Sequence, residues 1–135
     1  MDTNVIYAGL YSSKGASFRV LKAIMENKII MALSTTLLFE YEEVLKRNMS
    51  VLNLSETEID KILDYFCLQG EHYRVNFLWR PYLPDPKDDH ILELAFSSGV
   101  KFIITHNHRD FRGAEEFNVR AISPKQLMEG ISWGR

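Results

Sequence analysis

Apolar residues recur along this chain at two spacings, one helical and one continuous, and their alternation predicts the order of elements. Over residues 16–26, Phe18, Leu21, Ala23, Ile24 and Met25 stand among Arg19, Lys22 and Glu26, a spacing that predicts a helix ending at Asn27-Lys28. Residues 29–33, Ile-Ile-Met-Ala-Leu, then read as a short buried strand, and the hydroxyls of Ser34, Thr35 and Thr36 suit a helix N-cap. From 36 to 46, Leu37, Leu38, Tyr41, Val44 and Leu45 form one apolar stripe, with Glu40 at its margin. Ser55 and Glu58 make a capping-box pattern that opens a helix ending at Gly70. Residues 71–77 alternate polar and apolar, as an edge strand does.

The prolines at 81, 84 and 86 predict a loop over 78–87. A helix over 88–98 ends at Gly99, a buried strand covers 101–105, and a polar loop follows to 113. A short strand at 119–122 and a helix over 124–129 complete the chain, with Met25, Met31 and Met128 as core filler. Strands alternating with helices imply an α/β fold whose parallel sheet is covered on both faces. Ligands of such sheets bind at the carboxyl ends of the strands.

With 135 residues, 46% of them hydrophobic and 25% charged, the chain is expected to form a single domain over 1–135. That composition excludes a disordered or disulfide-built protein. A net charge of -2 argues against a uniformly basic nucleic-acid surface but leaves room for a local basic rim. Cys67, the single cysteine, has no internal disulfide partner, which fits a reducing compartment. Asp2 stands where a secretion signal needs positive charge, and no apolar run approaches the roughly 18 residues of a membrane span. A cytoplasmic location, with no membrane association, is expected.

An α/β topology brings Asp2, Asp88 and Asp110 toward one edge, with Glu40 as the natural fourth acid. Within the Asp85, Asp88, Asp89 cluster, helical spacing places Asp88 within about 60° of Ile91, Leu92 and Ala95 and turns Asp89 outward. Carboxylates converging at a buried edge repel one another unless their pKa values rise or a cation neutralises them. Oxygen donors without a Cys/His pattern point to Mg²⁺ or Mn²⁺, which suits phosphodiester hydrolysis. Each acid alone has an ordinary alternative: first-turn helix acids for Asp88 and Asp89, a turn residue for Asp110, a solvated charge for Glu40.

Four segments in this order resemble one family: Asp2-Thr3-Asn4-Val5; Leu38-Phe39-Glu40-Tyr41 followed by Val44-Leu45; Leu83-Pro84-Asp85-Pro86-Lys87-Asp88 leading to Leu92 and Ala95; and Ile104-Thr105, Asn107 and Asp110-Phe111. The chain resembles the PIN-domain nucleases, most of all the VapC-like toxin components of type II toxin-antitoxin systems. That resemblance implies a three-layer α/β/α sandwich with a central parallel sheet and a metal-dependent endoribonuclease site. Asp2, Glu40 and Asp88 match the first three acidic positions. Asp110 takes the fourth role, because Asn107 stands where many relatives have an acid. Thr3, Asn4, Asp85, Thr105 and Asn107 are the supporting residues, with Asn107 also a direct oxygen ligand in one reading.

Relatives carry several apolar residues before the first aspartate, forming the central strand; here only Met1 does so. The resemblance therefore implies a truncated first strand, or a start further upstream, and an Asp2 held loosely beside the amino terminus. Lys87, His108, Arg109 and Arg112 are the candidate RNA contacts, with Arg80 and His106 near them. Trp79 and Tyr82 offer either stacking on a base or packing. The expected partners are an RNA substrate, a cognate antitoxin and, by analogy, a second copy in a homodimer. Two other readings stand beside this one: a catalytically inactive PIN-like RNA- or protein-binding module, and a phosphatase using Asp2 as nucleophile, which Asn4 in place of a second aspartate disfavours.

Overall fold

A computed structural model describes residues 1–75 and 82–130. The elements run α1 (Thr3–Tyr11), α2 (Ala16–Met25), β1 (Ala32–Leu33), α3 (Thr35–Arg47), α4 (Met49–Leu52), α5 (Glu56–Gln69) and β2 (Glu71–His72), followed by α6 (Asp89–Ser98), β3 (Phe102–Ile104), β4 (Arg120–Ile122) and α7 (Pro124–Gly130). Single 3₁₀ turns lie at Pro86–Asp88, His108–Phe111 and Ala114–Phe117. The fold is α/β: β1 pairs with β2 and β3 with β4, both in parallel.

Where the sequence is periodic, the helices form as its spacing predicts. On α3 the stripe turns Leu37, Tyr41 and Leu45 fully inward and leaves Leu38, Val44 and Glu40 half-buried. Ser34 Oγ accepts from the Leu37 N–H at 3.1 Å, so this helix starts at a satisfied cap. The capping box of α5 is complete, with Glu58 N–H donating to Ser55 Oγ at 3.1 Å and Ser55 N–H to Glu58 Oε1 at 3.0 Å. Gly99 ends α6 with φ of 73°, a conformation in which a side chain is strained.

The strands are shorter than the apolar runs that contain them. Residues 29–33 contribute only Ala32–Leu33, because a strand is paired only as far as its neighbour and β2 has two residues. The buried run 101–105 narrows to Phe102–Ile104, and 119–122 to Arg120–Ile122. Of the edge strand expected over 71–77, Glu71–His72 is observed, and residues 76 and 77 lie outside the described residues. Two helices arise where none was expected: α1, which buries Val5, Ile6 and Gly9, and the short α4, closed by Asn53 at φ 54°. Met31 is buried, but Met25 is 60% exposed at the end of α2 and is not core filler.

Asp89 also departs from expectation. It is fully buried rather than outward, since its carboxylate accepts the N–H of Leu83 at 3.0 Å and of Tyr82 at 3.4 Å. The chain entering α6 doubles back over the first turn of that helix, and its buried amides need an acceptor.

Gly70, between α5 and β2, has an ordinary φ of -83°, so its requirement is for space. A Cβ there meets Leu33 Cδ1 at 2.6 Å and the Phe66 carbonyl oxygen at 2.9 Å, whereas one at Gly15 meets nothing within 4 Å. Gly70→Ala is expected to cost about 1–3 kcal/mol in urea unfolding, and Gly15→Ala less, since it meets no steric clash and loses only a modest capping preference at the start of α2. Equal effects from the two would contradict this packing.

Candidate active site

Asp2 is the most firmly held of the candidate acids, contrary to the loose placement expected at an amino terminus. Its N–H donates to the Ile104 carbonyl at 2.8 Å, so residue 2 continues the pairing of β3 on the edge away from β4. Its Oδ2 accepts from Thr105 Oγ1 at 2.7 Å, and the residue is 9% exposed. Thr105 is fully buried; its Oγ1 also accepts from the Asn107 N–H at 3.0 Å and faces Asn4 Nδ2 at 3.5 Å. Asn4 Oδ1 in turn lies 3.4 Å from the His106 N–H. One hydroxyl thus ties the first carboxylate to the loop that follows β3. Burial raises Asp2 above the usual carboxylate range, with the Thr105 hydrogen bond and the Met1 amine opposing and Glu40 reinforcing.

Glu40 comes from the middle of α3 and meets His90 of α6, with Nε2 standing 3.3 Å from Oε2. This is an ion-pair contact without hydrogen-bond geometry, since Glu40 Oε2 is buried with no hydrogen-bond partner, as are His90 Nδ1 and Thr3 Oγ1. Burial pushes the Glu40 carboxyl up, but His90, the Thr3 hydroxyl and the Met1 amine together outweigh it and hold the group below its ordinary value. The neighbouring Tyr41, fully buried, donates its hydroxyl to the Met1 carbonyl.

Asp88 ends the 3₁₀ turn before α6, half-buried, and is pushed up to about 6: first by burial, then by the charges of Asp2, Asp110, Asp85 and Glu40. Five carboxylates from four parts of the sequence therefore share one field. Asp110, half-buried on the turn His108–Phe111, adds to that field from the loop after β3. Asp85 has a local task besides, because its Oδ1 accepts the Lys87 N–H at 3.0 Å and caps the turn that carries Asp88.

The carboxylate oxygens, with Glu40 Oε2 and Thr3 Oγ1 buried without hydrogen bonds of ordinary geometry, match a hard dication in chemistry. Yet among the described residues no group of three or more His, Cys, Asp or Glu side chains stands close enough together to hold a metal ion. The acids are neighbours in charge but do not close into a ligand shell.

The candidate RNA contacts Lys87, His108, Arg109 and Arg112 are exposed and lie beside Asp88 and Asp110 in sequence. His106 instead meets Ser17 of α2, with 2.7 Å between Nε2 and Oγ. Tyr82 packs edge-to-face on Phe117 with ring centroids 5.1 Å apart, the packing alternative for that residue. Arg80 and Trp79 lie outside the described residues. His90 and Glu93 escaped the sequence reading. Glu93 is a fully buried carboxylate on α6, beside His90 in a cavity that Arg74 also lines. A charged residue on the apolar face of a helix was the available signal for Glu93; nothing in the spacing links His90 to Glu40.

A family model described as PIN domain matches residues 1–109, a stretch holding Asp2, Glu40 and Asp88 and stopping just before Asp110. Comparison with curated proteins found no match, and neither did comparison with solved structures.

The raised Asp88 sets a pH dependence. Between the ordinary aspartate value near 3.8 and about 6, the native chain keeps a proton on Asp88 that the unfolded chain has released. Stability from this group is complete below that window and is lost as pH rises through it. In EDTA, Asp88→Asn is expected to gain on the unsubstituted protein in urea midpoint as pH rises from about 4 to about 6.5. A difference that stays flat across that range contradicts the shared field.

Proposed function

Since the chain belongs to the PIN-domain family, whose members are nucleases, we propose that it is a divalent-metal-dependent endoribonuclease on a three-layer α/β/α sandwich, the toxin of a type II toxin-antitoxin pair. The observation that carries this reading is the elevation of Asp88, by burial first and then by the charges of four other carboxylates. Such a concentration of negative charge lowers stability unless it serves a cation.

In this reading Asp2, Glu40, Asp88 and Asp110 hold Mg²⁺ or Mn²⁺, with Asn107 as a further oxygen donor. The bound dication supplies charge neutralisation at a phosphoryl oxygen and a more acidic water. Thr105 fixes Asp2 by its 2.7 Å hydrogen bond, Asn4 steadies the loop carrying Asp110, and His90 fixes Glu40. The buried Thr3 hydroxyl faces Glu40 and helps hold its carboxyl charged. Lys87, His108, Arg109 and Arg112 contact RNA phosphates flanking the cut and so set the position of the strand rather than its sequence preference. The toxin role, a cognate antitoxin and a homodimer enter through the motif resemblance, and a cytoplasmic setting through the sequence's lack of a signal or spanning pattern.

A non-cleaving binding module is the second reading, and the absence of a closed ligand set among the described residues favours it. Single-stranded RNA incubated with Mn²⁺ separates the two. Cleavage is expected, lost in EDTA, and Thr105→Val is expected to lower it by roughly 10–100-fold, with Asp88→Asn lowering it further. Cleavage that persists in EDTA or in Asp88→Asn overturns the metal-nuclease reading. RNA retained but uncut by the folded protein with Mn²⁺ supports the module.

A further inference from the structure

The loop that follows β3 is anchored at both ends by buried side chains. Thr105 is fully buried and bonded to Asp2, and Phe111 is fully buried in the core. Between these anchors, residues 106–109 are exposed and Asp110 is half-buried. Among the described residues, the side chains of 106–110 make one hydrogen bond to another element, the 2.7 Å contact of His106 Nε2 with Ser17 Oγ of α2. Asn4 offers a second hold, but it meets the His106 N–H at 3.4 Å and Thr105 Oγ1 at 3.5 Å, near the outer limit of a hydrogen bond. Distance makes Ser17 the stronger of the two.

Ser17 is within reach because two helices approach closely. Gly9 of α1 is buried, and a Cβ there would meet Leu21 Cδ1 at 2.5 Å and the Ser17 carbonyl oxygen at 3.1 Å. The absence of a side chain lets the first turn of α2 lie against α1, which leaves Ser17 only 4% exposed with its hydroxyl on the loop. Helix α2 starts at Gly15 without a side-chain cap, so the Ser17 hydroxyl is not taken up by its own helix. A hydroxyl both donates and accepts. The contact therefore persists whichever nitrogen of the His106 ring carries the proton.

We propose that His106 is a positioning residue of the candidate active site, latched by Ser17 so that the loop after β3 presents Asn107 and Asp110 to Asp2 and Asp88. The consequence for cleavage rests on the nuclease reading; the latch itself does not. Asp110 N–H donates to the Asn107 carbonyl at 3.1 Å, so the acid moves with the residue next to His106. Its charge acts on Asp88 from that position. Helix α2, which carries none of the candidate acids, thereby enters the geometry of the site. His106 acts through the place of the loop and not on an RNA phosphate, and Ser17, being buried, separates the two roles: its loss cannot remove a contact with RNA.

The test compares Ser17→Ala, His106→Ala, the double variant and His106→Gln in the full chain; alanine suits the helical position 17. In EDTA and without RNA, each single alanine substitution is expected to speed hydrogen exchange at the Asp110 amide about fivefold, the effect of losing one hydrogen bond. With Mn²⁺ and single-stranded RNA, each is expected to lower kcat about fivefold at unchanged KM. The double variant is expected to match either single one within about a factor of two, because both remove the same contact. His106→Gln, whose side-chain amide can meet the Ser17 hydroxyl, is expected to restore both readouts. Unchanged exchange or unchanged kcat in Ser17→Ala overturns the proposal, as do losses that multiply in the double variant. An effect of His106→Ala confined to KM also overturns it and makes His106 an RNA contact. Exchange that is faster in both single variants and no faster in the double, in a protein that cuts no RNA, supports the latch while overturning the nuclease reading, so the two failures are distinguishable.

Discussion

A carboxylate removed from water has to be met by donors or by positive charge, and Asp2 meets that demand with a hydroxyl one hundred and three positions away. Thr105 has a single O–H, which goes to Asp2, so its lone pairs are free to accept from Asn107 N–H and to face the Asn4 amide. The start of α1, the end of β3 and the direction of the following loop are thereby settled together. Asp110 owes its place to that loop, since its N–H bonds back to the Asn107 carbonyl at 3.1 Å. Losing the Thr105 hydroxyl would leave a buried acceptor unmet and release the loop, one defect with two consequences.

Three acids in this region experience burial differently. Asp2 and Asp88 are raised because burial dominates, while Glu40 is lowered because His90, Thr3 and the Met1 amine together outweigh its burial. The pattern separates an acid that remains charged from two that resist charging, under one shared field. Asp89 shows that an aspartate can sit in this part of the fold for structural reasons alone: it is more buried than Asp88, but its oxygens are occupied by the amides of Leu83 and Tyr82. Burial alone therefore does not distinguish a reactive carboxylate; the number of donors already bound to it does.

The sequence made the helices legible because a helix is decided by residues three and four apart. The α3 stripe, the Ser55–Glu58 box and the Gly99 stop are all local, and each formed as the spacing required. Strand lengths were not legible, since Ala32–Leu33 is delimited by a partner forty residues later. Helical arithmetic put Asp88 on an inner helix face and Asp89 outward, whereas Asp88 lies half-buried in the 3₁₀ turn before α6 and Asp89 is fully buried, because the arithmetic sees the helix axis and not the chain that folds over its first turn. The same limit hid the pairing of Glu40 with His90, which depends on how α3 and α6 cross. The candidate acids were legible through motif order, and their failure to close into a ligand shell was not, because that turns on ångström-scale side-chain placement.

The two strand pairs share no ladder, so lateral order in the molecule must come from the helices. Helix α6 packs on both β1 and β3 and also touches α3, spanning the interval between the pairs. Asp88 is its N-cap, at the end of the preceding 3₁₀ turn, and His90 lies in its first turn, so this end of α6 positions both the central acid and the residue that faces Glu40. Asp2 and Asp110, by contrast, are referred to β3 and its following loop. Asp2 is also tied to the helix of Glu40 directly, through the Tyr41 hydroxyl on the Met1 carbonyl and the packing of α1 on α3, so the spacing of these two acids does not rest on the strand pairs alone.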